Sequence, residues 1–291
     1  MNIGIYIQRV KKLFLISKES VISFSKEKSF IHCAALSYYT VLTLVPIIYL
    51  GFLSFGKVIG QEKMVLIIGD FLHDHVGIED VDGILDFLNT INFEQGSLFV
   101  EIIGVILLLF SSSALFKALK ISINEYMDIE PVFENRKKLI LASIQTRLIS
   151  MLMLAFFGFV IVVIYLLQTI LVSFGKQIFD ERNSLQWFYS QSAQHGLAIL
   201  SSILIFWLIF KFLHDGKVPW KTAFAGSVFT SLLLYVGQLL IKYYLGNYFF
   251  ARQGGISGSL LVILAWMYYS AHIIFLGAKF TSVYGKYTRN D

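Results

Sequence analysis

The sequence predicts an all-α fold: a polytopic membrane protein with six transmembrane helices, an N-terminal amphipathic interfacial helix and short extracytoplasmic helices between spans one and two. Three observations carry this. Of 291 residues, 56% are hydrophobic and only 15% are charged, against about 25% charged in soluble domains. The mean hydropathy of +0.70 lies outside the globular and disordered ranges. The basic residues also alternate in density from loop to loop, as a bundle threaded through a bilayer requires.

Residues 1–29 form the first element. Ile3, Ile7, Val10, Phe14, Val21 and Phe24 recur at spacings of three and four, with Arg9, Lys11, Lys12 and Lys18 on the remaining arc. That pattern fits a helix lying on the inner membrane surface. The same lysines interrupt the apolar residues, so a cleavable signal is not expected.

Residues 30–283 hold the spans. A helix needs about 20 mostly apolar residues to cross the hydrocarbon core. Six stretches meet or approach this: Phe30 to Phe55, Leu98 to Leu119, Leu148 to Phe174, His195 to Leu213, Thr222 to Leu245, and Ile256 to Val283. Runs such as Ile102 to Phe110 are apolar on every face, whereas barrel strands alternate. Pro46 within span one removes a backbone hydrogen bond and predicts a kink there. The segment 56–97 between spans one and two is acidic, and its apolar stripes, Val65, Ile68, Leu72 and then Val81, Ile84 or Leu85, Leu88, Ile91, predict two short external helices. Residues 284–291 are a cytoplasmic tail.

Charge orients the bundle. Of the 24 Lys and Arg, 18 fall before span one, around the second-to-third and fourth-to-fifth connections, and in or after the end of span six; the other loops hold six. This bias predicts an inner-membrane protein with both termini cytoplasmic. It also accounts for the net charge of +5, so no nucleic-acid partner is expected, since that would need a basic surface patch of its own. Cys33 is the single cysteine, which excludes an internal disulfide and a multi-cysteine zinc site.

Ionisable and polar groups within spans cost roughly 3 kcal/mol at a helix centre and usually face the bundle interior or an aqueous path. Gly258, Ala265, His272 and Lys279 recur every seven residues in span six. Ser227, Ser231, Gln238 and Lys242 share a phase in span five, as do Arg147, Gly158, Tyr165 and Gln168 in span three. The candidate pathway-lining residues are Tyr39, Thr43, Pro46, Glu101, Gln168, Gln238, His272 and Lys279, with His272 the most interior. The competing reading makes these interhelical hydrogen bonds and snorkelling side chains. His73 and His75 are candidate metal ligands, but imidazoles two residues apart do not share a helix face and no third histidine lies nearby. No metal and no cofactor are expected. Glu125, Asp128, Glu130 and Glu134 beside Arg136, Lys137 and Lys138 read as a solvated cytoplasmic loop and not as a nuclease centre. No P-loop, nucleophile elbow, HExxH or dinucleotide motif is present.

Ala34-Ala35-Leu36-Ser37-Tyr38-Tyr39-Thr40, Leu44-Val45-Pro46, Val218-Pro219-Trp220, Leu264-Ala265-Trp266-Met267-Tyr268-Tyr269-Ser270 and Gly277-Ala278 resemble the YihY/BrkB family of bacterial inner-membrane proteins. The resemblance runs from about Phe30 to Tyr284. It implies six helical spans, cytoplasmic termini and no established chemistry; members once carried the label ribonuclease BN, now regarded as mistaken, and some are linked to serum resistance, lipopolysaccharide biology or envelope lipid transport. The chain departs from the family pattern at Lys279, where an acidic residue is common, and at Gly254-Gly255.

The expected function is a non-enzymatic transporter or flippase-like carrier of lipid or another amphipathic envelope molecule. The alternative is a scaffold subunit of an envelope-biogenesis machine. The expected partners are membrane lipids and envelope proteins; the Gly254 and Gly258 pair is compatible with monomer and dimer.

Overall fold

The computed structural model describes residues 3–27, 29–60, 98–129, 184–247 and 255–289, with isolated positions between 63 and 69 and between 152 and 170. These residues are helical almost throughout, with no strand among them. The long helices are α1 (Ile3–Lys26), α2 (Ser29–Ile59), α3 (Leu98–Tyr126), α4 (Ser184–Phe212), α5 (Trp220–Asn247) and α6 (Gly255–Arg289). The protein is an all-α polytopic membrane protein.

Among the described residues, Ile102–Tyr126, His195–Phe212, Trp220–Ile241 and Leu261–Arg289 are long and apolar enough to cross a membrane, and Ser29–Leu44 within α2 is a shorter apolar stretch. The described positions of the expected third span, such as Leu152, Phe156 and Val163, are helical; the rest of that span, including Gln168, lies outside the described residues. So does nearly all of the external segment, with His73 and His75. The α2 backbone stays helical through Pro46. Helix α6 continues past Val283 to Arg289, so most of the expected tail is helix.

The chain divides into two compact units. The first comprises Met1–Phe24, Ile123–Leu232 and Leu276–Asp291; the second comprises Ser25–Ser122 and Leu233–Phe275.

In the first unit, α1 is amphipathic in two senses. Ile16, Ser20 and Phe24, spaced by four, are buried, while Val10, Phe14 and Val21 are exposed beside the lysines. Ile16 packs against Phe280 and Val283 of α6, Phe24 meets the ring of Tyr126 at 5.3 Å, and Tyr287 donates to Glu19 at 2.7 Å. The apolar stripe read from the sequence therefore splits. Phe24 docks on protein, and Val10, Phe14 and Val21 form the face suited to lipid.

Helices α5 and α6 approach through reciprocal threonine and glycine contacts. A Cβ on Gly226 would collide with Thr281, and one on Gly277 would collide with Thr230. Each threonine hydroxyl is satisfied on its own helix, Thr230 by the Gly226 carbonyl at 2.7 Å and Thr281 by the Gly277 carbonyl at 2.8 Å. Small residues let backbones come close, which supplies the dispersion energy that burial from water cannot supply between helices in lipid. Phe229 stacks on Phe280 at 4.1 Å along the same seam.

In the second unit, Ser37, Thr40 and Thr43 of α2 donate to the carbonyls of Cys33, Leu36 and Tyr39. This ladder removes three hydroxyls from any demand for outside partners. His32 lies 2.8 Å from Ser122 Oγ, and a Cβ on Gly237 would strike the Tyr269 ring.

Candidate functional site

The site grows from the end of α3. Asp128 N–H bonds the Glu125 carbonyl at 3.1 Å and Ile129 N–H bonds the Asn124 carbonyl at 2.8 Å, the paired 5→2 and 6→1 bonds of a Schellman helix end. That motif requires a left-handed residue, ordinarily glycine. Here it is Asp128, with φ of 56°. Aspartate tolerates this region better than most residues, yet an L-residue still carries a cost there of about 1–2 kcal/mol.

The carboxylate explains why the position is acidic. Lys279 Nζ lies 3.0 Å from Asp128 Oδ1, and Lys286 Nζ lies 2.7 Å from Oδ2. Ser282 also donates to Oδ2, at 3.0 Å. These three donors occupy successive turns of α6, so one side chain ties the end of α3 to a face of α6. Burial alone would raise the Asp128 carboxyl, but hydrogen bonds from Lys286, Lys279 and Ser282, together with the charge of Lys279, hold it below its ordinary value. The Lys279 side chain is 6% exposed, whereas that of Asp128 is 41% exposed. The ammonium is the buried partner, and the carboxylate reaches in from the surface. Asp128 lies in an exposed turn, in keeping with the loop reading, and is in addition an ion-paired anchor.

The connection between α4 and α5 is fastened to the same turn. Asn124, buried, donates to Asp215 Oδ2 at 2.8 Å and accepts the Asp215 N–H at 3.0 Å. Gly216 sits against Ile129, close enough that a Cβ would be crowded at 2.8 Å. The Gly216 N–H donates to His214 Nδ1 at 3.1 Å, so Nδ1 must accept, and Nε2–H donates to the Phe210 carbonyl at 2.9 Å. Burial pushes the His214 imidazole below its ordinary value, with the Lys211 charge acting in the same sense against the two hydrogen bonds and Asp215. Lys211 donates to the Val218 carbonyl at 2.7 Å and covers the Trp220 ring at 4.9 Å. Trp220, Phe212 and Phe224 are exposed around it, an aromatic cluster of the kind found at membrane interfaces.

Between these anchors lies a cavity of about 470 Å³. Its wall includes Asp128, Lys217, Thr222, Ser282, Lys286 and Arg289, with Met127, Ile129, Val218 and Pro219 as an apolar side. Three basic side chains thus share the lining with one carboxylate that is already ion-paired. Among the described residues, no three His, Cys, Asp or Glu side chains come together as a metal site would require.

Of the candidate pathway-lining residues, Lys279 alone belongs to this cluster. Thr43 is buried and donates to Tyr39, which is half-buried. His272 is half-buried, 2.9 Å from the Tyr268 carbonyl and edge-on to Phe30. Gln238 is half-buried. These four lie in the second unit. Glu101 and Pro46 lie on α3 and α2, their side chains outside the described ones. Lys217, Thr222, Ser282, Lys286 and Arg289 were not singled out as site residues, and Asp128 enters only as part of a solvated loop. The signal that could have found Lys286 and Ser282 is their helical spacing from Lys279.

The family model described as virulence factor BrkB matches residues 21–291. The chain is 26% identical over 201 residues to the ribonuclease-like protein YfkH of Bacillus subtilis, covering 68% of this chain and 69% of that protein. It is 21% identical over 253 residues to a UPF0761 membrane protein of Pseudoalteromonas translucida, covering 87% and 80%. It is also 26% identical over 96 residues to the UPF0761 membrane protein YihY of Salmonella typhimurium, covering 33% of each chain. No solved structure matches the chain significantly.

Proposed function

The chain belongs to the BrkB/UPF0761 family of integral membrane proteins, and from that premise we propose that it is a transporter or flippase-like carrier of lipid or another amphipathic envelope molecule, seated in the inner membrane with both termini cytoplasmic. The observation that supports this reading is the juxtaposition, within one unit, of a basic cavity with exposed apolar side chains on α5, one of the helices that build it, including Phe224 and Leu232. A polar head needs the first and an acyl chain the second. We read the protein as non-enzymatic: the groups at the cavity are cations, hydroxyls and one ion-paired carboxylate, an arrangement that binds and neutralises charge without supplying a poised base.

The test is reconstitution into liposomes containing a trace of fluorescent phospholipid, with the outer leaflet quenched by a membrane-impermeant reductant. Accelerated loss of the inner-leaflet signal relative to protein-free vesicles is the expected result. Indistinguishable traces, with the protein shown to be folded and inserted, would refute the carrier reading.

A further inference from the structure

We propose that the cavity between the end of α3, the start of α5 and the last turns of α6 is a phosphate site that takes the anionic phosphodiester of a lipid head group. The inference rests on the carrier reading and names the chemistry of its cargo.

Charge comes first. Lys217, Lys286 and Arg289 line the cavity, and Lys279 stands behind Asp128. Against these four cations the wall offers one carboxylate, already shared between Lys279 and Lys286. Lys217 and Arg289 make no hydrogen bond or ion pair to any described residue, and both are exposed. Positive charge is therefore left over on the cavity lining, where it attracts an anion over a Debye length of about 8–10 Å.

The neutral donors agree. Helix α5 begins at Trp220, after Pro219, so Thr222 lies in its first turn, where backbone N–H groups lack intrahelical acceptors. Thr222 is only 6% exposed, lines the cavity, and makes no hydrogen bond to any described residue. Its hydroxyl is thus uncommitted on the cavity wall, and a phosphate oxygen is a strong acceptor for both this hydroxyl and a helix start. The neighbouring hydroxyls are differently placed: Ser282 is spent on Asp128 and Thr281 on Gly277.

Size and polarity choose the rest. A cavity of about 470 Å³ is within the usual range for small-molecule sites, about 300–1,000 Å³, and exceeds what a bare phosphate fills. The apolar side formed by Met127, Ile129, Val218 and Pro219 suits the glycerol and first acyl carbons of a phospholipid. The cationic excess disfavours a choline head group and favours one without a positive charge.

The experiment uses the purified full-length protein in neutral detergent. Binding of dioctanoyl phosphatidylglycerol, dioctanoyl phosphatidylcholine, phosphorylglycerol and inorganic phosphate is measured by calorimetry at low and high salt. Phosphatidylglycerol is expected to bind tightest, with affinity falling as salt rises. The double variant K217Q/R289Q removes the two unengaged cations while leaving every described contact intact, and it should weaken phosphatidylglycerol binding by about tenfold or more. T222V should weaken it by about threefold to tenfold without changing the salt dependence. Equal affinity for phosphorylglycerol and phosphatidylglycerol would keep the phosphate site but assign it to a soluble ligand, overturning the lipid head group. No binding of any probe, or full binding by K217Q/R289Q, would overturn the site itself. Lipid exchange in liposomes, measured separately, then decides the carrier reading: exchange without binding here leaves that reading standing and this inference refuted.

Discussion

Replacing Asp128 by glycine sets two structural terms against each other. The residue occupies a left-handed helix end with φ of 56°, so glycine should relieve about 1 kcal/mol of backbone cost, the low end of the range because aspartate tolerates this region. The same change strips Lys279 of its counter-charge. Breaking a fully buried ion pair costs about 3–5 kcal/mol, but the Asp128 side chain is 41% exposed, and solvent screening lowers the expected loss to about 2–3 kcal/mol. The loss should win, leaving D128G destabilised by about 1–2 kcal/mol. D128N keeps the backbone cost while losing the charge, and should be at least as unstable. K279M removes the buried ammonium, so D128G/K279M should recover most of the loss, giving a coupling of at least about 1 kcal/mol in a double-mutant cycle. Denaturant or thermal unfolding in detergent reads all four proteins. If D128G matches or exceeds the wild type, or if K279M fails to rescue it, the left-handed aspartate is not held in place by the buried lysine and the argument fails.

Three further outcomes follow from the same unit. G277A should cost about 1–3 kcal/mol by forcing a Cβ against Thr230, and adding T230A should return the melting temperature toward that of the wild type; an additive pair of losses would show that the helices do not meet there. N124A should cost about 1–3 kcal/mol because it leaves the buried clamp on Asp215 unmade, seen as a lowered melting temperature and faster hydrogen exchange in the loop from His214 to Val218. The folded His214 imidazole titrates below its ordinary 6.5, so below that pH the unfolded chain binds the extra proton; its contribution is complete above 6.5 and is lost as pH falls. Asp128, held below 3.8, contributes above that value and loses its share as pH falls through its lower folded value. Melting temperature against pH should therefore decline in two steps, and H214N should lose the upper one.

The fold was legible because the bilayer imposes a signal that few soluble constraints can blur: long runs apolar on every face. The amphipathic α1 was legible for the same reason, although hydropathy could not say which apolar residues face lipid and which dock. Ile16 and Phe24 pack on protein while Val10 and Phe14 do not, and all four are equally hydrophobic to a periodicity count. The seven-residue stripe in α6 shows a different limit. Ala265 is exposed, His272 half-buried and Lys279 buried, because a straight helix drifts by about 20° per heptad and the stripe rotates away from any one neighbour. In α5, Ser227 and Ser231 are both buried as their phase implied. The close helix approach, however, is made by Gly226 and Gly277 against threonines, a pairing that no spacing within one helix encodes. Asp128 was the hardest to read: a helix end of this type is ordinarily announced by glycine, and its ion-pair partner lies 151 positions away.

The basic residues then carry two meanings that the sequence merged into one. The excess of 18 over six in alternating loops reads as orientation, and Lys217, Lys279, Lys286 and Arg289 are all counted in it. The structure draws these four from two distant segments to one cavity or its ion pair. A residue that only orients the chain can sit anywhere within its loop, whereas Lys217, Lys286 and Arg289 share one cavity lining with Thr222, and Lys279 is ion-paired to Asp128 on that lining. The two roles separate experimentally because they have different thresholds. K217Q/R289Q leaves sixteen basic residues against six, a bias ample to keep both termini on the same side, yet it empties the cavity wall of its unengaged charge. Orientation mapped by cysteine accessibility should be unchanged in that variant while anion binding falls. If instead the termini invert, the four cations act through insertion alone, and the cavity would owe its charge to topology and not to a ligand.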